Sequence, residues 1–198
     1  RASCWPEVIV SACWALSNVA VNKDNAPVIA AQHGISAVLQ AMAANIESVD
    51  VQSQGCWVLK NVAVNNHHNQ KKICDEGGAK VVIQAMQRHI NSDAMQIQGA
   101  WTIKNLTPRE PDARAAVMAA GGILAITTAM AKFPANWEVQ LYGCWALKNI
   151  AAHPDSQGPI IREGGLEGVL RAMDMHIAKQ QVQLHGCGAL LNFALSDQ

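Results

Sequence analysis

The sequence has few charged residues and almost no tyrosine or phenylalanine. Charged residues occupy 15% of its 198 positions, against roughly 25% in ordinary globular proteins, and hydrophobic residues occupy 50%. A chain of this composition is not expected to be disordered. Basic and acidic residues number 15 each, so the formal charge is zero and offers no general attraction for nucleic acid or anionic membranes. No apolar run approaches the ~20 residues of a membrane-spanning helix, so membrane insertion is not expected.

The sequence also lacks the motifs that mark most active sites and metal sites. There is no C-x-x-C pair, which argues against zinc, and the Gly-Gly steps have neither GxGxxG nor Walker spacing. No residues are arranged as a nucleophile with its base or as paired catalytic carboxylates. We therefore expect no enzymatic activity, no cofactor and no metal. His67 and His68 fall in a polar segment that we predict to be a loop between helices.

Tryptophan, in contrast, is abundant and recurs at a fixed interval. The chain has six tryptophans but one tyrosine and two phenylalanines. Four of the tryptophans recur every 43 or 44 residues, and an asparagine stands four positions after each. Glycines, methionines and cysteines follow the same period, which identifies an internal repeat. The recurring residues are Trp14, Trp57, Trp101 and Trp145, with Asn18, Asn61, Asn105, Asn149 and, in a fifth copy that has Gly188 in place of tryptophan, Asn192.

Each repeat is predicted to contain three helices. Residues 51–64 and 79–89 carry apolar side chains at helical spacing, and residues 69–76 form a short helix that ends at a Gly-Gly pair. Glycine ends a helix because it accepts the left-handed conformation of a C-cap. The period therefore predicts an all-α solenoid of stacked helix triplets.

The segments W-A-L-S-N, W-V-L-K-N, W-T-I-K-N and W-A-L-K-N resemble the third helix of armadillo repeats. The Glu-Gly-Gly and Ala-Gly-Gly steps resemble the corner between the first and second helices of that family. The resemblance implies a right-handed armadillo superhelix over the whole chain. We place the third helix of a preceding repeat at 1–22, and complete repeats at about 23–65, 66–109, 110–153 and 154–198. The start inside a repeat predicts a fragment of a longer array whose apolar ends are available for end-to-end association.

A helical plot of the third helix separates the tryptophan from the core. At about 100° per residue, the apolar positions six before, two after and five after the tryptophan fall roughly opposite it. The residue two before the tryptophan is glycine in four copies, which lets a neighbouring helix approach closely. The tryptophans are therefore predicted to face outward, with the asparagines about 40° from them.

An outward row of tryptophan and asparagine suits an extended peptide. Stacked helices lie ~8–10 Å apart and an extended chain advances ~3.3 Å per residue, so one repeat serves two or three peptide residues. The asparagine amide can pair with the peptide backbone, and adjacent indoles can form walls for a long side chain. The matching residues of armadillo proteins such as importin-α bind cargo in this way, which the resemblance implies here for Trp14, Asn18, Trp57, Asn61, Trp101, Asn105, Trp145, Asn149 and Asn192.

A second set of residues lies three positions to either side of the tryptophan. Those after it are Lys60, Lys104 and Lys148, and those before it are Gln54, Gln98, Tyr142 and His185. His185 belongs to the copy without tryptophan and is a candidate to replace that contact. Three lysines would repel a basic peptide and slightly favour an acidic partner, as in β-catenin-like armadillo proteins. However, acids near the helix start (Glu7, Asp50 and Glu138) weaken this argument, and both sets also complement the helix dipole.

We therefore expect a protein-interaction scaffold that binds an extended peptide in a concave groove. The alternative is a structural spacer or self-associating module without a groove ligand. A nucleic-acid-binding solenoid is less favoured because the chain is neutral. The cysteines before the tryptophan position lie in different repeats, beyond the ~7 Å Cα distance of a disulfide, and are predicted to be buried thiols. This favours a reducing compartment, the cytoplasm or the nucleus.

Overall fold

The chain folds into consecutive triplets of α-helices, and the structure, a computed structural model, describes residues 5–108 and 111–195. Helix α1 (Pro6–Ala20) precedes the first triplet. The triplets are α2 (Asn25–Ala31), α3 (Gly34–Ala44) and α4 (Val49–Ala63); α5 (His67–Asp75), α6 (Gly78–Arg88) and α7 (Asp93–Leu106); α8 (Pro111–Ala119), α9 (Gly122–Lys132) and α10 (Trp137–Ile150); and α11 (Gln157–Arg162), α12 (Gly165–Met175) and α13 (Gln180–Leu195), the last after a 3-10 turn (Pro154–Ser156). The third helices α1, α4, α7, α10 and α13 pack each against the next. This is the predicted all-α solenoid.

The helices predicted at 51–64, 69–76 and 79–89 begin and end within two residues of α4, α5 and α6, respectively. The loop predicted at His67 and His68 is wrong, because these residues form the first turn of α5. The side chain of Asn66 caps that helix by accepting a hydrogen bond from the backbone N–H of Asn69. The repeat boundary predicted between 109 and 110 lies outside the described residues.

No single described helix has both the length and the apolar composition that crossing a membrane requires. Helices α8 and α9, which are bent by 67° relative to each other, together reach the length and the apolar composition of a membrane-spanning segment. This result depends on length and composition alone.

Each Gly-Gly corner meets two separate physical needs. The first glycine adopts the left-handed conformation, with φ of 81° at Gly77, and His33 takes this place in the first triplet with φ of 59°. The second glycine begins the middle helix where space is short. A Cβ added at Gly78 would lie 2.7 Å from the carbonyl oxygen of Ile73 in the preceding helix. The pair therefore combines conformational freedom with close approach.

The side chains assigned to the core by the helical plot are fully buried in the inner copies. These are Val51, Leu59 and Val62 on α4, Met95, Ile103 and Leu106 on α7, and Val139, Leu147 and Ile150 on α10. Val8 and Val19 occupy the same positions on α1 and are exposed, because α2 and α4, the helices that pack on α1, do not cover them. The core is therefore made where one repeat meets the next.

The glycine two positions before the tryptophan contacts the repeated methionine of the middle helix. A Cβ added at Gly99 would lie 2.4 Å from Cγ of Met86. The same clash, at 2.5–2.7 Å, involves Gly55 with Met42, Gly143 with Met130 and Gly186 with Met173. The predicted close approach is confirmed, and the methionine period has the same cause.

Substitution of this glycine should destabilise the fold. We expect Gly99→Ala to lower the free energy of unfolding by about 1 kcal/mol, because overpacking of 1–3 kcal/mol exceeds the gain in helix propensity. Gly168→Ala is the matched control, since its Cβ would meet no atom closer than 3.8 Å within the described residues. Gly168→Ala should raise the free energy of unfolding by up to about 1 kcal/mol in urea titrations. Equal effects of the two substitutions would contradict this account.

A glutamine five positions before the tryptophan position forms hydrogen bonds with the last carbonyl groups of each middle helix. Gln96 Nε2 donates hydrogen bonds to the carbonyl oxygens of Met86 and His89, both at 3.0 Å. Gln52, Gln140 and Gln183 make the equivalent pair of bonds. The last carbonyls of a helix have no partner inside it, and this side chain supplies one from the next helix. These glutamines were not among the predicted functional or structural residues, although they follow the same period.

The cysteines before the tryptophan position are buried in three copies. Cys13, Cys56 and Cys144 are buried, whereas Cys187 is exposed, so the prediction of a buried thiol is wrong there. The cysteine of one copy is covered by the third helix of the following repeat, and within the described residues no helix follows α13. Burial raises the pKa of both Cys56 and Cys144 to about 12, which keeps these thiols protonated.

Candidate functional site

The predicted binding residues lie on consecutive third helices. We use the word ladder for Trp57 and Asn61 on α4, Trp101 and Asn105 on α7, and Trp145 and Asn149 on α10. The three indoles are half-buried, and Trp14 on α1 is 55% exposed. Asn105 and Asn149 retain exposures of 6% and 8%. The indoles therefore keep accessible surface, while two of the asparagines lie close beneath it.

Each ladder asparagine is bonded to the preceding third helix. The side-chain Nδ2 of Asn61, Asn105, Asn149 and Asn192 donates to the carbonyl oxygens of Ser17, Lys60, Lys104 and Lys148, at 2.8–3.1 Å. These carbonyls belong to the last turns of their helices, where the helix itself supplies no donor. The asparagines therefore fasten adjacent repeats together, a role that the sequence analysis did not predict.

The amide groups nevertheless keep hydrogen-bonding capacity. An asparagine side chain has two N–H hydrogens and a carbonyl oxygen, and the bond between repeats uses one N–H. Among the described residues, no group donates to Oδ1 of Asn61, Asn105 or Asn149. A backbone N–H from another chain could satisfy that oxygen.

Lys60, Lys104 and Lys148 follow the ladder tryptophans by three positions, and we call them the ladder lysines. Two of them contact the indole of the next repeat. Lys60 Nζ is 3.7 Å from the ring centre of Trp101 and 5.3 Å from that of Trp57. It also donates a hydrogen bond of 2.9 Å to Oε1 of Gln98, and Lys60 is only 5% exposed. Lys104 Nζ is likewise 3.7 Å from the ring centre of Trp145. Both are cation–π contacts made by residues of the chain itself.

The following repeat covers the indoles with a second ring. Tyr142 stacks on Trp101 with 4.4 Å between ring centres, and His185 stacks on Trp145 at 3.8 Å. The lysine comes from the preceding helix and the ring from the following one, so they cover opposite faces of the indole. The predicted apolar walls for a long ligand side chain are therefore filled at Trp101 and Trp145.

The fifth copy differs from the prediction. His185 is 5% exposed, so it covers Trp145 instead of replacing the missing tryptophan on the surface. A Cβ at Gly188 would lie 2.7 Å from Cδ of Lys148, which shows that the lysine stem crosses this position. The place left by the tryptophan is therefore occupied by Lys148.

Lys60, Lys104 and Lys148 carry positive charge that no carboxylate of the described residues neutralises. Burial, reinforced by neighbouring Lys104, lowers the pKa of Lys60 to about 8, and burial with neighbouring Lys148 lowers that of Lys104 to about 8. Both lysines stay mostly protonated at pH 7. Within residues 5–108 and 111–195, neither they nor Lys148 form an ion pair. The ion pairs formed elsewhere are Lys71–Asp75, Lys72–Glu76 and Arg88–Glu47.

The two stacked rings are themselves neutral at pH 7. Burial first, and then Lys148 and Lys104, lower the pKa of His185 to about 4. Both ring nitrogens of His185 are buried and have no hydrogen-bond partner in the part of the chain that the structure describes. Burial and then Glu138 raise the pKa of Tyr142 to about 12.

Other features lie away from the ladder. Cavities of about 380 and 490 Å³ lie between α9 and α12 and between α2 and α5. Among the described residues, no group of three or more His, Cys, Asp or Glu side chains could hold a metal ion.

The fold and the repeated ladder define an α-solenoid built from helix triplets. More narrowly, the structure has the armadillo-repeat fold. A designed armadillo repeat protein, solved in complex with the peptide (KR)4, superposes with a TM-score of 0.79 at 20% identity, covering 92% of this chain and 74% of that one. A second designed armadillo repeat protein has a TM-score of 0.81 at 18% identity and the same coverage.

Engineered proteins show the same likeness. One superposes with a TM-score of 0.84 at 25% identity over 97% of this chain, which spans 45% of the engineered one. No protein-family model matches the sequence, and no curated protein matches it. These comparisons establish the fold, and the function has to be argued from the ladder.

Proposed function

We propose that the chain is a protein-interaction scaffold whose ladder binds an extended segment of a partner protein. One observation carries the proposal: partly exposed tryptophans recur on consecutive third helices although the core is already filled by other residues. A row of partly exposed tryptophans is not expected in a solenoid that only spaces other elements. Tryptophan is also the residue that most often dominates binding energy at interfaces.

The contacts favour recognition of the peptide backbone. Because the faces of Trp101 and Trp145 are covered, the indole edges and the asparagine Oδ1 atoms are the groups offered to a ligand. An extended peptide presents a backbone N–H at intervals that fit one contact for every two or three residues. We propose a partner segment that is negatively charged, without nucleic acid or membrane as ligand. A non-catalytic role in the cytoplasm or nucleus remains part of this proposal.

We expect Trp57→Ala to weaken peptide binding by at least roughly 30-fold, the loss typical of a central tryptophan. Trp57 suits this test because Nζ of Lys60 lies 5.3 Å from its ring centre, whereas Trp101 is packed between Lys60 and Tyr142. The ligand would be the best octapeptide selected from a random library on the unaltered protein. Affinity would be measured by fluorescence anisotropy.

The matched control is Trp137→Ala, which removes a tryptophan at the start of α10, outside the repeat register. Its binding should equal that of the unaltered protein. Equal binding by the Trp57→Ala protein would contradict the ladder as the binding surface.

Self-association is the second candidate, and apolar side chains exposed on α1 and α13 favour it. Val8 and Val19 on α1, and Leu184 and Leu191 on α13, are exposed. Most of the matching positions in the inner copies are buried or partly buried by the neighbouring repeat. An apparent molar mass, measured by light scattering, that rises with protein concentration would favour this candidate over a peptide-binding ladder if no peptide can be selected.

A further inference from the structure

We infer that Lys60 and Lys104 set the specificity of the ladder by occupying the cation-binding faces of Trp101 and Trp145, so that basic peptide side chains are excluded and carboxylates are attracted. The inference rests on the proposed function and adds the chemistry of the partner. It assigns to these two lysines a role beyond lining a groove.

The geometry leaves no indole face for an incoming cation at these two tryptophans. A Lys or Arg side chain of a ligand binds tryptophan best over the ring face. The Nζ atoms of Lys60 and Lys104 already stand there, each 3.7 Å from the ring centre. The opposite faces are covered by Tyr142 and His185. A basic side chain would therefore have to displace a lysine of the chain itself.

Displacement of Lys60 is unfavourable for two reasons. It would break the hydrogen bond to Gln98 and the contact with Trp101, and a cation–π contact is stronger when it is shielded from water. A second cation beside the ammonium would also be repelled by it, and more strongly than in bulk water because Lys60 is buried. Together these effects reject basic side chains between the indoles.

A carboxylate of the ligand would be attracted by the same ammonium groups. An ammonium group has three N–H donors, and Lys60 uses one of them on Gln98. The three ladder lysines repeat at the spacing of the third helices, and none has a carboxylate partner in the described residues. Lys148 continues the row across Gly188, where no indole is present. An extended segment with Asp or Glu at every second or third residue would match this row.

The test compares the octapeptides (ED)4 and (KR)4 by fluorescence anisotropy on the whole chain. The unaltered protein should bind (ED)4 at least tenfold more tightly than (KR)4. Lys60→Ala with Lys104→Ala should weaken (ED)4 at least tenfold and strengthen (KR)4, because the indole faces become free. Lys60→Met with Lys104→Met should weaken (ED)4 without strengthening (KR)4, because methionine keeps the faces covered. The methionine variant retains the packing over the two indoles, so it tests the inference even if the alanine variant does not fold.

The control pair is Lys80→Ala with Lys132→Ala, which changes the net charge equally at exposed positions on α6 and α9. It should preserve the preference for (ED)4. An unaltered protein that binds both peptides equally, or a preference that survives loss of Lys60 and Lys104, would overturn the inference alone. If neither peptide binds any of these proteins, the proposed function fails, and the inference fails with it.

Discussion

Lowering the pH from 7 to 4 should reduce the free energy of unfolding by roughly 3 kcal/mol through His185 alone. The imidazole is 5% exposed and stacked on Trp145, and burial together with Lys148 and Lys104 lowers its pKa to about 4. In the unfolded chain the pKa of histidine is ~6.5. The unfolded state therefore takes up the proton first, and acid shifts the equilibrium toward it. The contribution of His185 is fully present above pH 6.5 and is lost as the pH falls to about 4.

The comparison variant is His185→Phe, which keeps an aromatic ring for Trp145 but cannot take up a proton. Urea titrations at pH 7, 5.5 and 4.5 would give the free energy of unfolding of both proteins. The variant should lose less stability than the unaltered protein over this range, and the difference should approach roughly 3 kcal/mol near pH 4. Parallel pH dependences would show that His185 is not held neutral by its surroundings.

Gln96→Met should lower the free energy of unfolding by roughly 2 kcal/mol. Methionine matches the length of glutamine, but it leaves the carbonyl oxygen of Met86 without this donor, whereas the carbonyl oxygen of His89 keeps its hydrogen bond from the backbone N–H of Ser92. A buried polar group without a partner costs about 1–3 kcal/mol. Part of this loss is offset, because Oε1 of Gln96 is itself buried without a partner in the described chain, and methionine removes it.

The control for this substitution is Gln84→Met on the exposed surface of α6, which should change stability by less than about 0.5 kcal/mol. Amide hydrogen exchange would add a local measurement, because the last turn of α6 should open more readily in the Gln96→Met protein. Equal stability of the two variants would mean that solvent replaces the glutamine without cost.

The repeat made most of the fold predictable. A period of 43 or 44 residues, Gly-Gly corners and apolar positions at helical spacing led to the helix triplets and to the buried positions of α4, α7 and α10. These features depend on the geometry of one helix and its ends, which neighbouring residues in the sequence determine. The predictions for His67, His68 and Cys187 were wrong for two different reasons. His67 and His68 join α5 through the cap at Asn66, and Cys187 is exposed because no described helix follows α13.

The candidate site was predictable as a set of residues but not as a set of contacts. A helical plot of a single helix places Trp101 and Lys60 on similar sides of their own helices. It has no information about the offset between the two helices, which brings Nζ of Lys60 to 3.7 Å from the ring of Trp101. The plot also could not show that Asn105 donates a hydrogen bond to the carbonyl oxygen of Lys60, 45 residues away.

By itself, then, the sequence determined which residues recur, which segments are helical and which side of each helix meets the core, because all three follow from periodicity along the chain. Only the tertiary structure decided what the ladder residues touch: asparagines that fasten adjacent repeats, and lysines that stand over the indoles. The physical reason is that these contacts join residues 38 to 45 positions apart. Their distances depend on how one third helix is shifted and rotated against the next.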